Sequence, residues 1–594
     1  MTSDPRSVET PVPFLASPDW GSDRIAETLR DMGFRHVALN PGSSFRGLHD
    51  SLVNHLGNRD PQILLCLHEE HAVSIAHGWA KVTAEPMAVI LHSNVGLMHA
   101  SMAIYNAWCD RVPMFILGAT GPLDAARRRP WIDWIHTARD QGVLVRGFVK
   151  WDDQPISLSA TLNAMHRANA ITRTAPMAPT YVCLDVSVQE DPVPKGLPPR
   201  RVATPAVPTP PPPAEADLAW LLARLAEAER PVFLMGRVSR STADWDARVA
   251  LADAVGASVI TDIKTGASFP TDHPAHIGPP AFFIAEAPRR ALAEADLIVA
   301  FDWVDLAGTL AEAGVTPGAD TRFVVEISLD HQLASGASLD HMGYAQPDLH
   351  MACLPDAVIA ALCKAMGLTP TPGAREAAAA VLPPLPDEGV TAMDMSGLSA
   401  AIAHGFAGET PCFVRLPLGW DGAARPFRHP LDYLGYDGGA GIASGPGMLI
   451  GAALALRDTA RIPVAVLGDG DVMMGNSALW TAARYKVPMI AVVCNNRSFF
   501  NDEVHQEKVA RMRDRPVENK AIGQAITGPD IDIAAIARAQ GLRGFGPVET
   551  PAALVDAIRH AIALWREGHA VVIDARVLPG YSKEMQAGMT ETGG

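Results

Sequence analysis

The stretch that decides the fold begins at Val464-Ala465-Val466-Leu467, continues through Gly468-Asp469-Gly470, and ends at Asn495-Asn496. Between these points lie a helical stretch near residues 477–485 and a second apolar run at residues 489–494. Strand, glycine turn, helix and strand form one βαβ unit. Both strands therefore end at the carboxyl edge of a parallel sheet, where open α/β sheets bind ligands.

The residue types at this edge suit a phosphate held by a cation. Gly468 and Gly470 lack side chains and allow the backbone to approach a phosphate closely. Asp469 and Asn496 supply hard oxygen atoms, which magnesium prefers. A lone Gly-Asp-Gly is often only a turn, but Asn-Asn at the far end of the same βαβ unit makes the combination specific.

Composition indicates a large enzyme of the cytoplasm. A chain of 594 residues should form several domains, and a net charge of −16 argues against nucleic acid or an anionic membrane as partner. Apolar runs such as residues 448–456 are too short to span a membrane, and residues 1–20 lack a signal-peptide pattern. The seven scattered cysteines contain no CxxC pair, so neither a disulfide framework nor a zinc site is indicated.

Two proline-rich stretches, residues 192–213 and 369–388, divide the chain into three pieces. We predict domains over residues 1–191, 214–368 and 389–594, each a doubly wound parallel α/β sheet, because each piece alternates apolar strand-like runs with Ala-rich helical stretches. Strand candidates outside the βαβ unit are residues 62–67, 180–186, 231–236, 258–261, 296–301 and 322–327.

The Gly-Asp-Gly … Asn-Asn spacing resembles the signature of thiamine diphosphate enzymes. The three α/β domains in this order resemble the family of thiamine diphosphate-dependent decarboxylases and acetohydroxyacid synthases, over nearly the whole chain. The resemblance implies that the first domain binds the aminopyrimidine and the third binds the diphosphate. Magnesium would be held by Asp469, Asn496 and the backbone carbonyl of Ser498. Active sites would lie between subunits, which implies a homodimer or homotetramer.

The same resemblance requires a glutamate in the first domain that touches the pyrimidine N1′. His68-Glu69-Glu70-His71-Ala72 follows a strand candidate and leads to Gly78-Trp79-Ala80, as in the family pattern. This alignment places Glu69 in the role and leaves Glu70 as the alternative. A carboxyl that shares a proton with N1′ favours the 4′-imino form of the aminopyrimidine. The 4′ nitrogen of that form can remove the proton from C2 of the thiazolium.

The family bends its cofactor over a bulky apolar side chain. The segment Gly438-Gly439-Ala440-Gly441-Ile442 places Ile442 at this position, with the backbone of Ala440 and Ile442 along the pyrimidine edge. A shifted register would put Ala440 there instead. The segment continues with Ser444-Gly445-Pro446-Gly447 where the family usually has Gly-Leu-Pro-Ala-Ala, which leaves the register open.

Two further segments resemble the benzoylformate decarboxylase branch. Leu91-His92-Ser93 implies that His92 donates or accepts a proton over the thiazolium, and imidazole suits this work because its pKa lies near working pH. Asn40-Pro41-Gly42-Ser43 implies that Ser43 lies near a substrate carboxylate. His505, in a charged stretch beyond the metal loop, is a secondary candidate. We assign only structural roles to His71 and His99. Asp471 stands at a position where small residues are usual in the family, and the sequence does not explain it.

The resemblance implies cleavage of the carbon–carbon bond beside a 2-oxo group, most simply decarboxylation of a 2-oxoacid. An acetolactate synthase-type carboligase is the nearest alternative, and a 2-hydroxyacyl-thioester lyase or a diketone hydrolase is another. The central domain lacks a Gly-Met-x-Gly pattern around residues 276–280, which argues against bound FAD. An inactive scaffold is the least favoured alternative, because Glu69 and the metal residues are all present.

Overall fold

A computed structural model describes residues 8–13, 18–197, 206–317, 322–330, 343–372, 381–386 and 391–581. Three parallel sheets lie in succession along the chain, which confirms the predicted fold class. Parts of both proline-rich stretches lie outside the described residues. The exact domain boundaries at residues 191, 214, 368 and 389 stay predictions.

The first sheet has six parallel strands in the order β2-β1-β3-β4-β6-β5. Its strands are β1 (His36–Leu39), β2 (Gln62–Leu65), β3 (Ala88–Leu91), β4 (Met114–Thr120), β5 (Trp151–Asp153) and β6 (Pro179–Asp185). The helices are α1 (Gly21–Asp31), α2 (Arg46–Asp50), α3 (Glu69–Thr83), α4 (Ser93–Cys109), α5 (Ile132–Ile135), α6 (Leu158–Arg173) and α7 (Val186–Glu190). Helix α3 begins beyond the end of β2 and α4 directly after β3, so both N-termini lie at the carboxyl edge of the sheet.

The central sheet has five parallel strands in the order β11-β10-β9-β7-β8. Its strands are β7 (Pro231–Met235), β8 (Ser258–Ile260), β9 (Leu297–Phe301), β10 (Phe323–Ile327) and β11 (Leu349–Met351). The helices are α8 (Glu215–Glu227), α9 (Thr242–Val255), α10 (Glu286–Glu294), α11 (Leu306–Glu312) and α12 (Pro355–Ala365). β7, β9 and β10 are buried over nearly their whole length, as apolar strands covered by helices on both faces should be.

The third sheet has the order β12-β13-β14-β16-β15. Its strands are β12 (Pro411–Arg415), β13 (Ile462–Gly468), β14 (Ile490–Asn495), β15 (Arg543–Val548) and β16 (Val571–Arg576). The helices are α13 (Met395–Gly405), α14 (Gly445–Ala455), α15 (Asp469–Gly475), α16 (Ala478–Arg484), α17 (Phe500–Met512), α18 (Ile533–Ala539) and α19 (Pro551–Arg566). Strands β13 and β14 pair in parallel, with Gly468 beside Cys494, which confirms the βαβ unit.

Helices α3 and α14 join the first and third domains. Their surfaces approach so closely that a Cβ on Gly78 would lie 1.9 Å from the carbonyl oxygen of Met448, and one on Gly451 would lie 1.8 Å from that of Ile75. Glycine at both positions therefore allows the two backbones to touch. Around them, apolar residues of both domains form one continuous core. Among the described residues, no helix combines the length and apolar character needed to cross a membrane.

Candidate active site

Asp469 is the first residue of α15 and directly follows β13. Its Oδ1 accepts the Gly470 N–H at 3.0 Å, whereas its Oδ2 is buried without a hydrogen-bond partner among the described residues. Burial raises the pKa of Asp469 to about 6, although the backbone N–H groups of Gly470, Arg497 and Ser498 oppose the shift. A buried carboxylate oxygen without a donor is unfavourable unless a cation compensates it. The residues present therefore fit the expected magnesium ion.

The Asn496 loop meets Asp469 at this same edge of the sheet. Asn496 follows the end of β14, and its side-chain Oδ1 accepts the Ser498 N–H at 3.0 Å. Arg497 between them has a φ of 57°, so the loop turns sharply after the strand. The structure thus brings the three expected metal residues together, and their roles as ligands stay predictions.

The two glycines of Gly-Asp-Gly differ in their surroundings. A Cβ on Gly468 would meet no atom within 4 Å, so open space adjoins its backbone. A Cβ on Gly470 would lie 2.6 Å from the ring of Phe499, so packing requires this glycine. Open space therefore adjoins Gly468 but not Gly470.

The loop that carries Ile442 is anchored from the first domain. Asn106 of α4 donates from Nδ2 to the Gly441 carbonyl at 2.9 Å, and its Oδ1 accepts the Gly441 N–H at 3.2 Å. Ala440 and Ala443 have φ values of 57° and 92°, a region that non-glycine residues avoid. Ile442 lies between these two strained residues and is half-buried. The loop thus holds its backbone in a conformation that needs external support.

Asp471 supplies that support, which accounts for an acidic residue where the sequence left one unexplained. Its Oδ1 accepts the N–H groups of Ala443 at 2.8 Å and Gly445 at 3.3 Å. Its Oδ2 lies 3.0 Å from Nη1 of Arg415, whose Nη2 in turn lies 2.8 Å from Asp437. The carboxylate therefore faces the loop and a buried guanidinium.

We expect Asp471→Ala to loosen this loop. The change removes the acceptor of two buried N–H groups, at about 1–3 kcal/mol for each donor left unsatisfied. Hydrogen–deuterium exchange at residues 438–446 should become faster than in the parent protein. Asp471→Asn is the matched control, because its amide oxygen can still accept both bonds. Equal exchange in the Ala variant and the parent would contradict the anchoring role.

Glu69 is only 5% exposed and faces α4. Its Oε2 lies 3.0 Å from Nδ1 of His99, and a Cβ on Gly96 would lie 3.1 Å from its Oε1. Gly96 and His99 are three residues apart on α4, so they share the helix face toward this carboxylate. Burial, followed by the charge of Asp471, raises the pKa of neighbouring Glu70 to about 7. Both glutamates therefore remain candidates for the pyrimidine contact.

His92 is oriented by Ser44. The Ser44 hydroxyl lies 2.9 Å from His92 Nδ1, and the Ser44 N–H donates to the same nitrogen at 3.4 Å. Nδ1 therefore acts as an acceptor, and the neutral ring carries its proton on Nε2. Burial, and then the adjacent His136, lower the pKa of His92, which favours this neutral form. Ser43 is exposed and, within the described part of the chain, no hydrogen bond joins it to His92.

Several residues around His92 were not predicted from the sequence. The ring of His136 meets that of His92 edge-on, with centroids 4.9 Å apart, and the Ser93 hydroxyl donates to the His136 carbonyl at 2.7 Å. Trp131 and Trp134 in the same segment are 71% and 81% exposed. No local pattern predicts the His136 contact. The helical spacing of Gly96 and His99, in contrast, could have placed His99 beside Glu69.

His505 lies exposed on α17. Within the described residues, no contact joins it to Glu69, His92 or Asp469. Its role stays a prediction.

His71 was given a structural role from the sequence. Its Nε2 lies 2.7 Å from the Ser477 hydroxyl, so this side chain links the first and third domains. Burial lowers the pKa of His71 to about 4, which keeps the ring neutral in that contact.

Three family models match the chain in succession. They describe the N-terminal TPP binding domain of thiamine pyrophosphate enzymes at residues 19–142, the central domain at residues 218–330, and the C-terminal TPP binding domain at residues 419–575. Each matched segment covers much of one of the three sheets.

Curated relatives include both decarboxylases and carboligases. The chain is 26% identical to benzoylformate decarboxylase of Pseudomonas aeruginosa over 552 residues, which cover 90% of this chain and 95% of that protein. It is 25% identical to the acetolactate synthase large subunit of Lactococcus lactis over 293 residues, 48% of each chain. The solved 4-hydroxybenzoylformate decarboxylase of Rhodococcus jostii RHA1 has the same fold, with a TM-score of 0.73 at 21% identity, covering 95% of this chain and all of that one.

Proposed function

Because this chain belongs to the thiamine pyrophosphate enzyme family, we propose that it is a magnesium-dependent, non-oxidative 2-oxoacid decarboxylase. The match to benzoylformate decarboxylase over 90% of the chain supports this activity. When bound, thiamine diphosphate would supply the electron sink that carbon–carbon cleavage beside a carbonyl needs. We propose Asp469, Asn496 and the Ser498 carbonyl as the metal ligands, with the diphosphate beside Gly468.

The observation that carries the decarboxylase proposal is His92, whose ring Ser44 holds through Nδ1. Release of an aldehyde requires a proton in place of the carboxylate that leaves as carbon dioxide. The neutral ring held by Ser44 would offer its Nε2–H as a hydrogen-bond donor to the reacting group. It would transfer a proton only after taking up a second one to form the imidazolium, so that the donation returns the neutral ring. Glu69 would hold the proton shared with the pyrimidine, and Ile442 would support the bent cofactor. The exposed Ser43 would lie on the substrate side.

A panel of 2-oxoacids, assayed with and without an acceptor aldehyde, tests the activity. A decarboxylase releases carbon dioxide and an aldehyde without any acceptor. The matches to acetolactate synthases keep the carboligase as second candidate, and product formation only with an acceptor would favour it. Cleavage confined to a thioester or a diketone would refute the decarboxylase proposal while leaving the cofactor proposal intact.

We expect His92→Ala to reduce turnover by about 10²–10⁴-fold, the usual contribution of general acid–base catalysis. Affinity for thiamine diphosphate should change little, because the proposed diphosphate contacts lie on the third domain. Gly42→Ala offers a second test, because its Cβ would lie 2.3 Å from the His92 ring and must displace it. Parental turnover in His92→Ala would refute this role and make His505 the next residue to test.

We also propose a homodimer or homotetramer with active sites between subunits. In the family pattern, the glutamate and the metal ligands of one site come from different chains. His99 beside Glu69 is half-exposed in the single chain, which is consistent with a surface that another subunit completes.

A further inference from the structure

His68, Glu69 and His99 form a cluster of metal-ligating side chains apart from Asp469. Each residue offers one ligand atom, and these three atoms all lie within 4.8 Å of one another. Among the described residues, no other group of three or more His, Cys, Asp or Glu side chains comes this close together. The rings of His68 and His99 stack with centroids 4.9 Å apart. Two imidazoles and one carboxylate are a ligand set that zinc takes in open sites, with the fourth position left for water.

The surrounding contacts leave these ligands available. His68 is the N-cap of α3, and its Nδ1 accepts the Glu70 N–H at 3.2 Å, so its Nε2 remains for an ion. The side chain of His99 is 51% exposed in the single chain, so the cluster opens toward the surface that the proposed second subunit would complete. The nearest further imidazoles, His71 and His92, are each within hydrogen-bond distance of a serine hydroxyl. The cluster therefore offers three protein ligands and one open position.

We propose that His68, Glu69 and His99 bind a zinc-type divalent cation when thiamine diphosphate is absent, and that the ion and the cofactor exclude each other. Imidazole ligands favour zinc over magnesium, which prefers oxygen ligands, so this site differs in metal preference from the one proposed at Asp469. A cation on Glu69 would occupy the carboxylate that the pyrimidine needs. The exclusion rests on the proposed function, whereas zinc binding itself does not.

Zinc titration of the chelator-treated apoprotein, in competition with a chromogenic chelator, tests the site. We expect one zinc ion per chain in the parent protein. His99→Asn and His68→Asn should each weaken binding by about 10–100-fold or more, since even outer contacts of a metal site contribute that much. Asn at position 68 preserves an N-cap, so the fold should tolerate this change. His49→Asn, at an exposed histidine of α2, and Asp469→Ala should leave zinc affinity unchanged.

Unchanged zinc affinity in both His99→Asn and His68→Asn would overturn the proposed site. Repeating the titration with saturating thiamine diphosphate and magnesium tests the exclusion, which predicts a marked loss of zinc affinity. If the cofactor binds but zinc affinity does not change, the exclusion is wrong, even if the site itself stands. If thiamine diphosphate fails to bind at all, the proposed function fails, and the zinc result in the apoprotein is still decisive for the site.

Discussion

Glu69→Gln should retain thiamine diphosphate and lose most exchange of the cofactor's C2 proton with solvent. The amide has nearly the size of the carboxyl but cannot share a proton with N1′. We expect turnover to fall by at least about 10²–10⁴-fold, the range for removal of a general acid–base group. Proton exchange at C2 of the bound cofactor, followed by quenching and NMR, measures this step without any substrate.

Glu70→Gln is the matched control for this experiment. The two glutamates are adjacent at the start of α3, and burial raises the pKa of Glu70 to about 7, so its carboxyl could also hold a proton near neutral pH. Glu69 is the more deeply buried of the two and faces α4. Loss of exchange in the Glu70 variant, with parental exchange in Glu69→Gln, would show that the register is wrong by one residue.

Asp469→Ala should abolish retention of thiamine diphosphate and magnesium, because it removes the one anionic side chain among the proposed metal ligands. Cofactor content after desalting and magnesium-dependent binding of thiamine diphosphate both measure this loss. In the parent protein, affinity should also fall as the pH drops through about 6, the raised pKa of Asp469, because only the ionised carboxyl binds a cation. Full cofactor content in Asp469→Ala would refute the proposed metal site.

Mixing the Glu69→Gln and Asp469→Ala proteins tests the shared site. If one site takes Glu69 from one subunit and Asp469 from another, a mixed dimer contains one site without either substitution. Activity should then recover after subunit exchange between two inactive proteins. If both residues of a site come from the same chain, every site in the mixture carries a substitution and no activity returns.

The sequence predicted those features that depend on local patterns. The two strands around Gly468-Asp469-Gly470 are runs of buried apolar residues, and their parallel pairing brought Asp469 and the Asn496 loop to one edge. Contacts between distant segments were not predictable in this way. The contact of Ser44 with His92 is one example, because the 3-10 turn that begins at Ser43 directs the residue after it inward.

The Asp471–Arg415 pair illustrates the same limit. In sequence, an additional carboxylate beside a diphosphate site looks unfavourable. In the fold, a guanidinium from the end of β12 lies 3.0 Å from that carboxylate, which also accepts the N–H groups of the strained Ala443 and of Gly445. The two partners lie 56 positions apart in the sequence, too far for any periodic pattern to reveal the contact.

The contact between α3 and α14 has a consequence for protein engineering. A chimaera that takes its first domain from one relative and its third from another would have to keep glycine at both 78 and 451, since any methyl group there would meet backbone at under 2 Å. Such a graft would otherwise tilt one helix against the other and displace both Glu69, at the start of α3, and the loop before α14. Replacement of a short surface segment, such as the one containing the exposed Trp131 and Trp134, leaves this helix contact intact, whereas recombination of whole domains does not.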